Sequence, residues 1–118
     1  MPQFMLLLHE NPADFASVSP DEIQAIIGEY VAWRQAIEAA GKYAGSNKLK
    51  DEGGRHLTSD NGHVRVVDGP YAEASEVIGG YFNISAADYD EAVEITRGCP
   101  HLKYGGWIEL RQIEDVPE

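Results

Sequence analysis

The sequence contains two well-marked helix N-termini, and their positions limit which secondary structure the segments around them can form. In Ser19-Pro20-Asp21-Glu22 a capping serine precedes a proline suited to the first helical position, and a glutamate follows three residues after the serine. Apolar residues then recur every three or four positions, which predicts an amphipathic helix of about 20 residues ending at Gly41. Asp88 and Glu91 start a second, shorter helix in the same way, and Gly98 stops it. The predicted inner stripe of the first helix is Ile23, Ile26, Ile27, Tyr30, Trp33, Ile37 and Ala40.

The segments around these helices have the length and composition of strands. Asp60-Asn61-Gly62 separates Arg55–Ser59 from His63–Val67, and Asn-Gly between two extended runs predicts a β-hairpin. The pair Gly79-Gly80 predicts a bulge or a close approach of two backbones. The four other predicted strands are Phe4–Leu8, Tyr43–Leu49, Val77–Ile84 and Trp107–Ile113.

The resulting order is β-α-β-β-α-β with an added two-stranded hairpin after the second strand, and it predicts an α+β sandwich with both helices on one face of the sheet. A length of 118 residues suits a single domain spanning 1–118. The other face is left bare, yet Phe4–Leu8 is apolar at every position, and Trp107 and Ile108 lie on opposite faces of one strand. A second copy of the same sheet is the simplest cover for such a patch, so we expect a homodimer packed sheet on sheet.

Charge and cysteine content exclude several classes of function. Twenty Asp and Glu oppose nine Lys and Arg, and the net charge of −11 repels phosphate backbones and anionic lipids. We therefore expect neither nucleic acid nor membrane as a partner, and no apolar run reaches the roughly 20 residues of a membrane-spanning helix. The N-terminus predicts no signal peptide. Cys99 is the single cysteine, which excludes an intrachain disulfide and favours the cytoplasm.

Four segments taken together resemble the YCII-related family, and most closely its DGPF-domain branch. They are Asp68-Gly69-Pro70-Tyr71-Ala72-Glu73, Glu76-Val77-Ile78-Gly79-Gly80-Tyr81-Phe82, Gly98-Cys99-Pro100-His101 and Gly105-Gly106-Trp107-Ile108-Glu109. Tyr71 stands where the branch's name motif ends in Phe. The resemblance implies a ferredoxin-like fold that dimerises as an α+β barrel. Some family members are thought to use a His–Asp pair, whose positions fall here on Tyr30 and Cys99, so the pair is absent.

Loops at the ends of strands and helices carry function more often than core positions do, which points to the Asp68 turn and the His101 segment. We predict a pocket lined by Asp68, His101 and Tyr30, with the carboxylate and the imidazole as acid–base groups. Tyr30 is included because it occupies the position of the family's histidine. Further predicted ligand-binding residues are Glu73, Trp33, His9 and Tyr71.

Several of these residues, and Cys99, also have a structural explanation. The Asp68 carboxylate can bond backbone N–H groups of its own turn, and His101 can cap the helix before it. Tyr30 and Trp33 can belong to the core, and a thiol after a helix C-terminus, as at Cys99, suits a buried structural role.

Two functions follow from this sequence. The first is a dimeric module that binds a small molecule without catalysis. The alternative is a cofactor-independent acid–base enzyme of the lactone isomerase or dehydrohalogenase/lyase type, which the family and fold suggest. The four histidines lack ligand-like spacing, and neither a paired-cysteine motif nor a Gly-x-Ser-x-Gly elbow is present. We therefore predict no metal and no cofactor.

Overall fold

One four-stranded sheet, a separate hairpin and two α-helices make up the described part of the chain. The computed structural model describes residues 1–15, 17–69 and 76–117. The strands are β1 (Gln3–Glu10), β2 (Tyr43–Lys48), β3 (Arg55–Asp60), β4 (His63–Asp68), β5 (Val77–Ser85) and β6 (Trp107–Gln112). The helices are α1 (Pro20–Ala39) and α2 (Tyr89–Thr96), and short 3-10 turns lie at Pro12–Phe15 and Pro100–Lys103. Every predicted helix and strand is present, and the two 3-10 turns are additional to the prediction.

Both predicted helix starts are confirmed by single hydrogen bonds. The Ser19 hydroxyl oxygen accepts from the Glu22 backbone N–H at 3.2 Å, and the Asp88 carboxylate accepts from the Glu91 N–H at 2.9 Å. These bonds satisfy donors that have no partner within the first turn of a helix. Just beyond the end of α1, Gly41 adopts a φ of +73°, a left-handed conformation that favours glycine.

The four-stranded sheet has the strand order of a ferredoxin-like fold. β2, β5, β1 and β6 lie side by side in that order, and each of these pairings is antiparallel. β3 and β4 form a separate two-stranded sheet, inserted between β2 and β5 in the chain. At its turn Asn61 and Gly62 have φ values of 49° and 84°, as a type I′ hairpin requires. The predicted α+β class, the ferredoxin-like order and the added hairpin are confirmed.

The core lies between the sheet and the two helices. Phe4, Leu6 and Leu8 on β1 are buried, whereas Met5 and Leu7 between them are partly exposed. Since side chains alternate across a strand, the first set faces the helices and the second set faces the opposite side of the sheet. The other buried apolar residues of this core are Ile37, Ile84, Ala86 and Ala92. The sheet-on-sheet homodimer stays a prediction for the open face.

The apolar stripe predicted for α1 is covered along part of its length. Ile37 is buried, and Tyr30 and Trp33 pack against the core. Ile23 and Ile27, which the same spacing assigned to the inner face, are 42% and 48% exposed, so that part of the prediction is wrong. The helical period identifies an apolar face, but it does not reveal where along the helix the covering elements stop.

The glycine pair in β5 forms the predicted bulge. Leu8 pairs with Gly80 and His9 pairs with Ile78, so Gly79 is the extra residue on the β5 side. Gly80 is buried, and a Cβ added to it would stand 2.9 Å from the Asn47 carbonyl oxygen. A side chain at Gly80 would therefore have to push two backbones apart.

Gly80→Val is expected to lower the free energy of unfolding by at least about 1 kcal/mol, because its Cβ meets a backbone atom of the adjacent strand. Urea unfolding followed by circular dichroism measures the loss. Gly28→Ala serves as the control, because a Cβ at Gly28 meets none of the described atoms within 4 Å and alanine favours a helix. An unchanged urea midpoint for Gly80→Val would show that the close approach imposes no constraint.

Candidate functional site

A buried histidine lies at the centre of the candidate site. His101 belongs to the 3-10 turn after α2 and is 4% exposed. Its Nε2 atom lies 2.7 Å from the His9 carbonyl oxygen, and its Nδ1 atom lies 3.2 Å from the Tyr30 hydroxyl oxygen. A carbonyl oxygen can only accept a hydrogen bond, so we assign the proton of the neutral ring to Nε2. Nδ1 then accepts from the Tyr30 O–H, and both ring nitrogens of His101 are engaged.

The Tyr30 hydroxyl is held in its protonated form. Burial, and after it the neighbouring Cys99 and Glu10, raise the pKa of Tyr30 well above its usual value. A protonated hydroxyl is what the bond to Nδ1 of His101 requires. The structure thus brings together two of the three predicted pocket residues, which are 71 positions apart in the chain, because α1 packs against the 3-10 turn that carries His101.

Gly106 provides the space for the imidazole. A Cβ added to Gly106 would overlap the His101 ring at Nε2 and the two carbons beside it. The sequence marked Gly105-Gly106 as part of a family-like segment without a physical reason for the second glycine. That reason is the ring of His101, which lies where any other residue would place its Cβ.

Glu10 belongs to this cluster and was missed by the sequence analysis. It is the last residue of β1, and its carboxylate occupies the space that a Cβ at Gly79 would fill, so the bulge in β5 makes room for it. Burial raises the pKa of Glu10, whereas the charge of His101, when its ring is protonated, and the charge of Lys48 lower it. A half-buried carboxylate is therefore coupled electrostatically to His101. The feature that marks Glu10 is a carboxylate at the end of one strand facing a glycine on the next strand. This feature can be recognised only when the strand register is known.

Glu10→Gln is expected to stabilise the protein at neutral pH. Because folding raises the pKa of Glu10, the folded state binds this proton more tightly than the unfolded chain does, and stability falls as the pH rises through the titration of the carboxyl. The variant removes that loss, so it should unfold at higher urea than the wild type at neutral pH. Below the ordinary carboxyl range the two proteins should unfold at similar urea concentrations. An equal difference at both pH values would contradict the assignment.

Asp68 lies outside the cluster around His101. It ends β4 on the separate hairpin, its side chain is 89% exposed, and its carboxylate lies 3.4 Å from Arg55. Among the described residues it makes no contact with Tyr30 or His101, so the predicted three-residue pocket is not formed in this structure. Glu73 and Tyr71, predicted to bind a ligand beside it, lie outside the described residues.

The His9 side chain belongs to a different cluster, on the open face of the sheet. Its ring stacks on Trp107, with centroids 4.0 Å apart and planes 6° apart. Nδ1 lies 3.2 Å from Glu76 and Nε2 lies 3.1 Å from Glu109, and the Trp107 N–H donates to the same Glu76 carboxylate at 2.7 Å. His9 therefore meets His101 through its backbone carbonyl, while its imidazole is committed to carboxylates on the other side of the sheet.

A groove of about 520 Å³ opens between the residues that flank Tyr30 and those that flank His101. Trp33 lines it and packs edge-on against Phe82, with its N–H donating to the Ile95 carbonyl at 3.3 Å. The other apolar lining residues are Ala32, Cys99, Pro100 and Leu102. The charged residues on its wall, which the sequence analysis did not select, are Glu29, Arg97 and Lys103.

Cys99 lies in the wall of this groove as a buried thiol. Burial raises the pKa of the thiol to about 11, so it is protonated at neutral pH and a poor nucleophile. In the ranges 1–15, 17–69 and 76–117, no group of three or more His, Cys, Asp or Glu side chains is arranged to hold a metal ion. None of the helices in those ranges is long and apolar enough to cross a membrane.

A family comparison matches nearly the whole chain. The family model described as the YCII-related domain matches residues 2–117, and the chain therefore belongs to the YCII-related family. Comparison with curated proteins gives no match. At the candidate site of this family member, the Tyr30 hydroxyl contacts Nδ1 of His101.

Proposed function

We propose that the protein is a dimeric module that binds a small organic molecule in the groove between α1 and residues 97–103. The observation that carries this proposal is the groove itself, an apolar wall of Trp33 and Leu102 with charged groups beside it. Concave, mostly apolar surfaces with a few polar groups are the usual form of small-molecule sites. The Asp68-Gly69-Pro70-Tyr71 segment supports the DGPF branch within the family, and a cytoplasmic location is part of the same proposal.

The charges around the groove favour an anionic ligand. Arg97 and Lys103 bring two positive charges and Glu29 brings one negative charge, in a chain whose net charge is −11. Lys103 pairs with Glu29 and Arg97 pairs with Glu94, each at 3.0 Å. Exposed ion pairs of this kind contribute about 0–1 kcal/mol, so a ligand carboxylate can replace these partners at little cost.

Thermal-shift screening of small aromatic carboxylic acids against their neutral amides tests this function. An acid present at about 100 times its Kd should stabilise the folded protein by about 2.7 kcal/mol, which raises the melting temperature by about 10 °C. Lys103→Gln should weaken binding, whereas Lys50→Gln, the same change outside the groove, should leave it unaltered. Equal binding to both variants, or no stabilisation by any compound, would contradict the proposal.

A second function, acid–base catalysis without a cofactor, is favoured by the hydrogen bond between Tyr30 and His101. Since both nitrogens of His101 are engaged, the Tyr30 hydroxyl would be the group of the pair that acts on a substrate, although Tyr30 does not line the groove described above. Its proton can pass to Nδ1 of His101 while the oxygen accepts one from a substrate carbon or hydroxyl. Glu10 would stabilise the imidazolium that results.

Turnover of small lactones and halogenated phenols across a range of pH decides between the two functions. If the protein is an acid–base enzyme, Tyr30→Phe should reduce kcat by about 10²–10⁴-fold, the usual contribution of a proton-transfer group. Asp68→Asn should leave kcat unchanged, because its carboxylate is solvent-exposed on the hairpin. Binding without turnover by the wild type would leave the binding module as the function.

A further inference from the structure

The hairpin formed by β3 and β4, called here the arm (55–68), exposes an apolar surface. Every residue of both strands is exposed. The pairing of Leu57 with Val66 and of Ser59 with Val64 places three apolar side chains on one face, with exposures of 63%, 58% and 66% for Leu57, Val66 and Val64. An isolated two-stranded hairpin is at best marginally stable in water. A partner on this face is therefore expected.

The arm extends away from the rest of the described chain, called here the body, which contains the four-stranded sheet and the two helices. The radius of gyration is 16.4 Å, whereas a compact domain of this length has roughly 13.5 Å. At the base of the arm the backbones of Gly53 and Gly69 touch so closely that a Cβ on either would overlap the carbonyl group of the other. The Gly69 N–H also donates to the Gly54 carbonyl at 3.1 Å. These contacts hold the base of the arm in a defined position. The strand residues of the arm are all exposed among the described residues.

Charge indicates what can cover the arm. Within residues 55–68 two arginines balance two aspartates, so the arm is neutral and the net charge of −11 lies on the rest of the chain. A neutral, apolar arm can therefore contact an acidic second copy without bringing further like charge into the interface.

The body exposes an apolar surface that matches the arm. Ile23, Ile27 and Val31 follow one another at intervals of four residues on α1 and are all exposed. At 1.5 Å per residue this stripe is about 12 Å long. The neighbouring rows of the arm's apolar face are about 7 Å apart along its strands, so its two rows fit within the stripe.

We propose that the arm packs its Leu57–Val64–Val66 face on the Ile23–Ile27–Val31 stripe of α1 in a second copy of this chain. Twofold symmetry makes the contact reciprocal, so each copy offers one arm and one stripe and both are covered. The contact adds to the predicted sheet-on-sheet packing within the same dimer and uses surfaces distinct from it.

Sedimentation equilibrium of Leu57→Asp tests the arm. The variant should raise the dimer dissociation constant at least about tenfold, because a charge replaces an apolar contact. Thr58→Asp is the matched control, since Thr58 is the next residue and points to the opposite face of the same hairpin. Equal dissociation constants for the two variants would overturn the proposal. Circular dichroism shows that each variant is folded, which an exposed substitution should preserve.

Disulfide cross-linking identifies the surface that receives the arm. Leu57→Cys and Ile27→Cys chains, refolded together and mildly oxidised, should form a disulfide-linked species of about twice 13.0 kDa. Native Cys99 is buried and protonated, so it does not interfere. In a separate chain that carries both substitutions, a disulfide within one chain would overturn the assignment to α1 of a second copy. Failure of the two single-cysteine chains to form a mixed cross-link, or formation of a cross-link between two Leu57→Cys chains, would overturn it as well.

Discussion

Gly106→Ala is expected to lower the free energy of unfolding by about 2–3 kcal/mol, a large effect for a single methyl group. The added Cβ occupies the position of the His101 imidazole. The ring must then move, which breaks its bonds to the His9 carbonyl and the Tyr30 hydroxyl and leaves polar groups buried without partners. Overpacking typically costs 1–3 kcal/mol and an unsatisfied buried polar group a similar amount.

Gly28→Ala is the matched control for this change. It makes the same substitution on the open surface of α1, where a Cβ meets none of the described atoms within 4 Å, and should stabilise by about 0.5–1 kcal/mol. Urea unfolding gives both values. In Gly106→Ala the NMR signals of the His101 ring should shift while those of His56 on the arm stay unchanged. Equal stability of the two variants would show that the ring has room to move.

If the protein forms the predicted sheet-on-sheet homodimer, Leu7→Lys is expected to give a folded monomer at micromolar concentration. Leu7 lies on the open face of the sheet, between Tyr81 on β5 and Glu109 on β6. In a monomer the new ammonium group can lie beside the Glu109 carboxylate in water, whereas a sheet-on-sheet interface would bury it at a cost of several kcal/mol. The Asn83 side-chain oxygen, on the same face, is buried and has no hydrogen-bond partner among the described residues, which a partner chain can supply.

Light scattering behind size exclusion should report about twice 13.0 kDa for the wild type and 13.0 kDa for Leu7→Lys. Leu6→Lys is the contrasting variant, because Leu6 is buried between sheet and helices and its replacement should unfold the protein instead. A wild type that is monomeric at micromolar concentration, or a Leu7→Lys dimer as tight as the wild type, would contradict sheet-on-sheet association.

Local signals in the sequence predicted the elements well. The caps at Ser19 and Asp88 form because a short polar side chain reaches the free N–H groups of its own first turn, an interaction over three residues. Asn61-Gly62 predicts its hairpin because few residues adopt two successive positive φ angles. The Gly79-Gly80 bulge follows for a related reason, since glycine tolerates close approach where other residues do not.

The candidate site was predicted in part. Tyr30 and His101 were named separately, one from the family position and the other from its place after a helix, and their contact depends on how α1 packs. Asp68 was grouped with them because two distinctive segments share a family motif, but its hairpin stands apart from the sheet. Glu10 and Gly106 were not selected, because nothing near them in the chain distinguishes a functional carboxylate or a sterically required glycine.

Caps, turns and periodicity act within a few neighbouring residues, and for that reason the helices, the strands and the α+β class could be predicted from the sequence. Which side chains meet depends on how these elements pack. The sheet register places Glu10 opposite Gly79, and the 3-10 turn sets the His101 ring against Gly106 and Tyr30. Such contacts join residues far apart in the chain, and a shift of one residue in strand pairing would reverse the faces and abolish them.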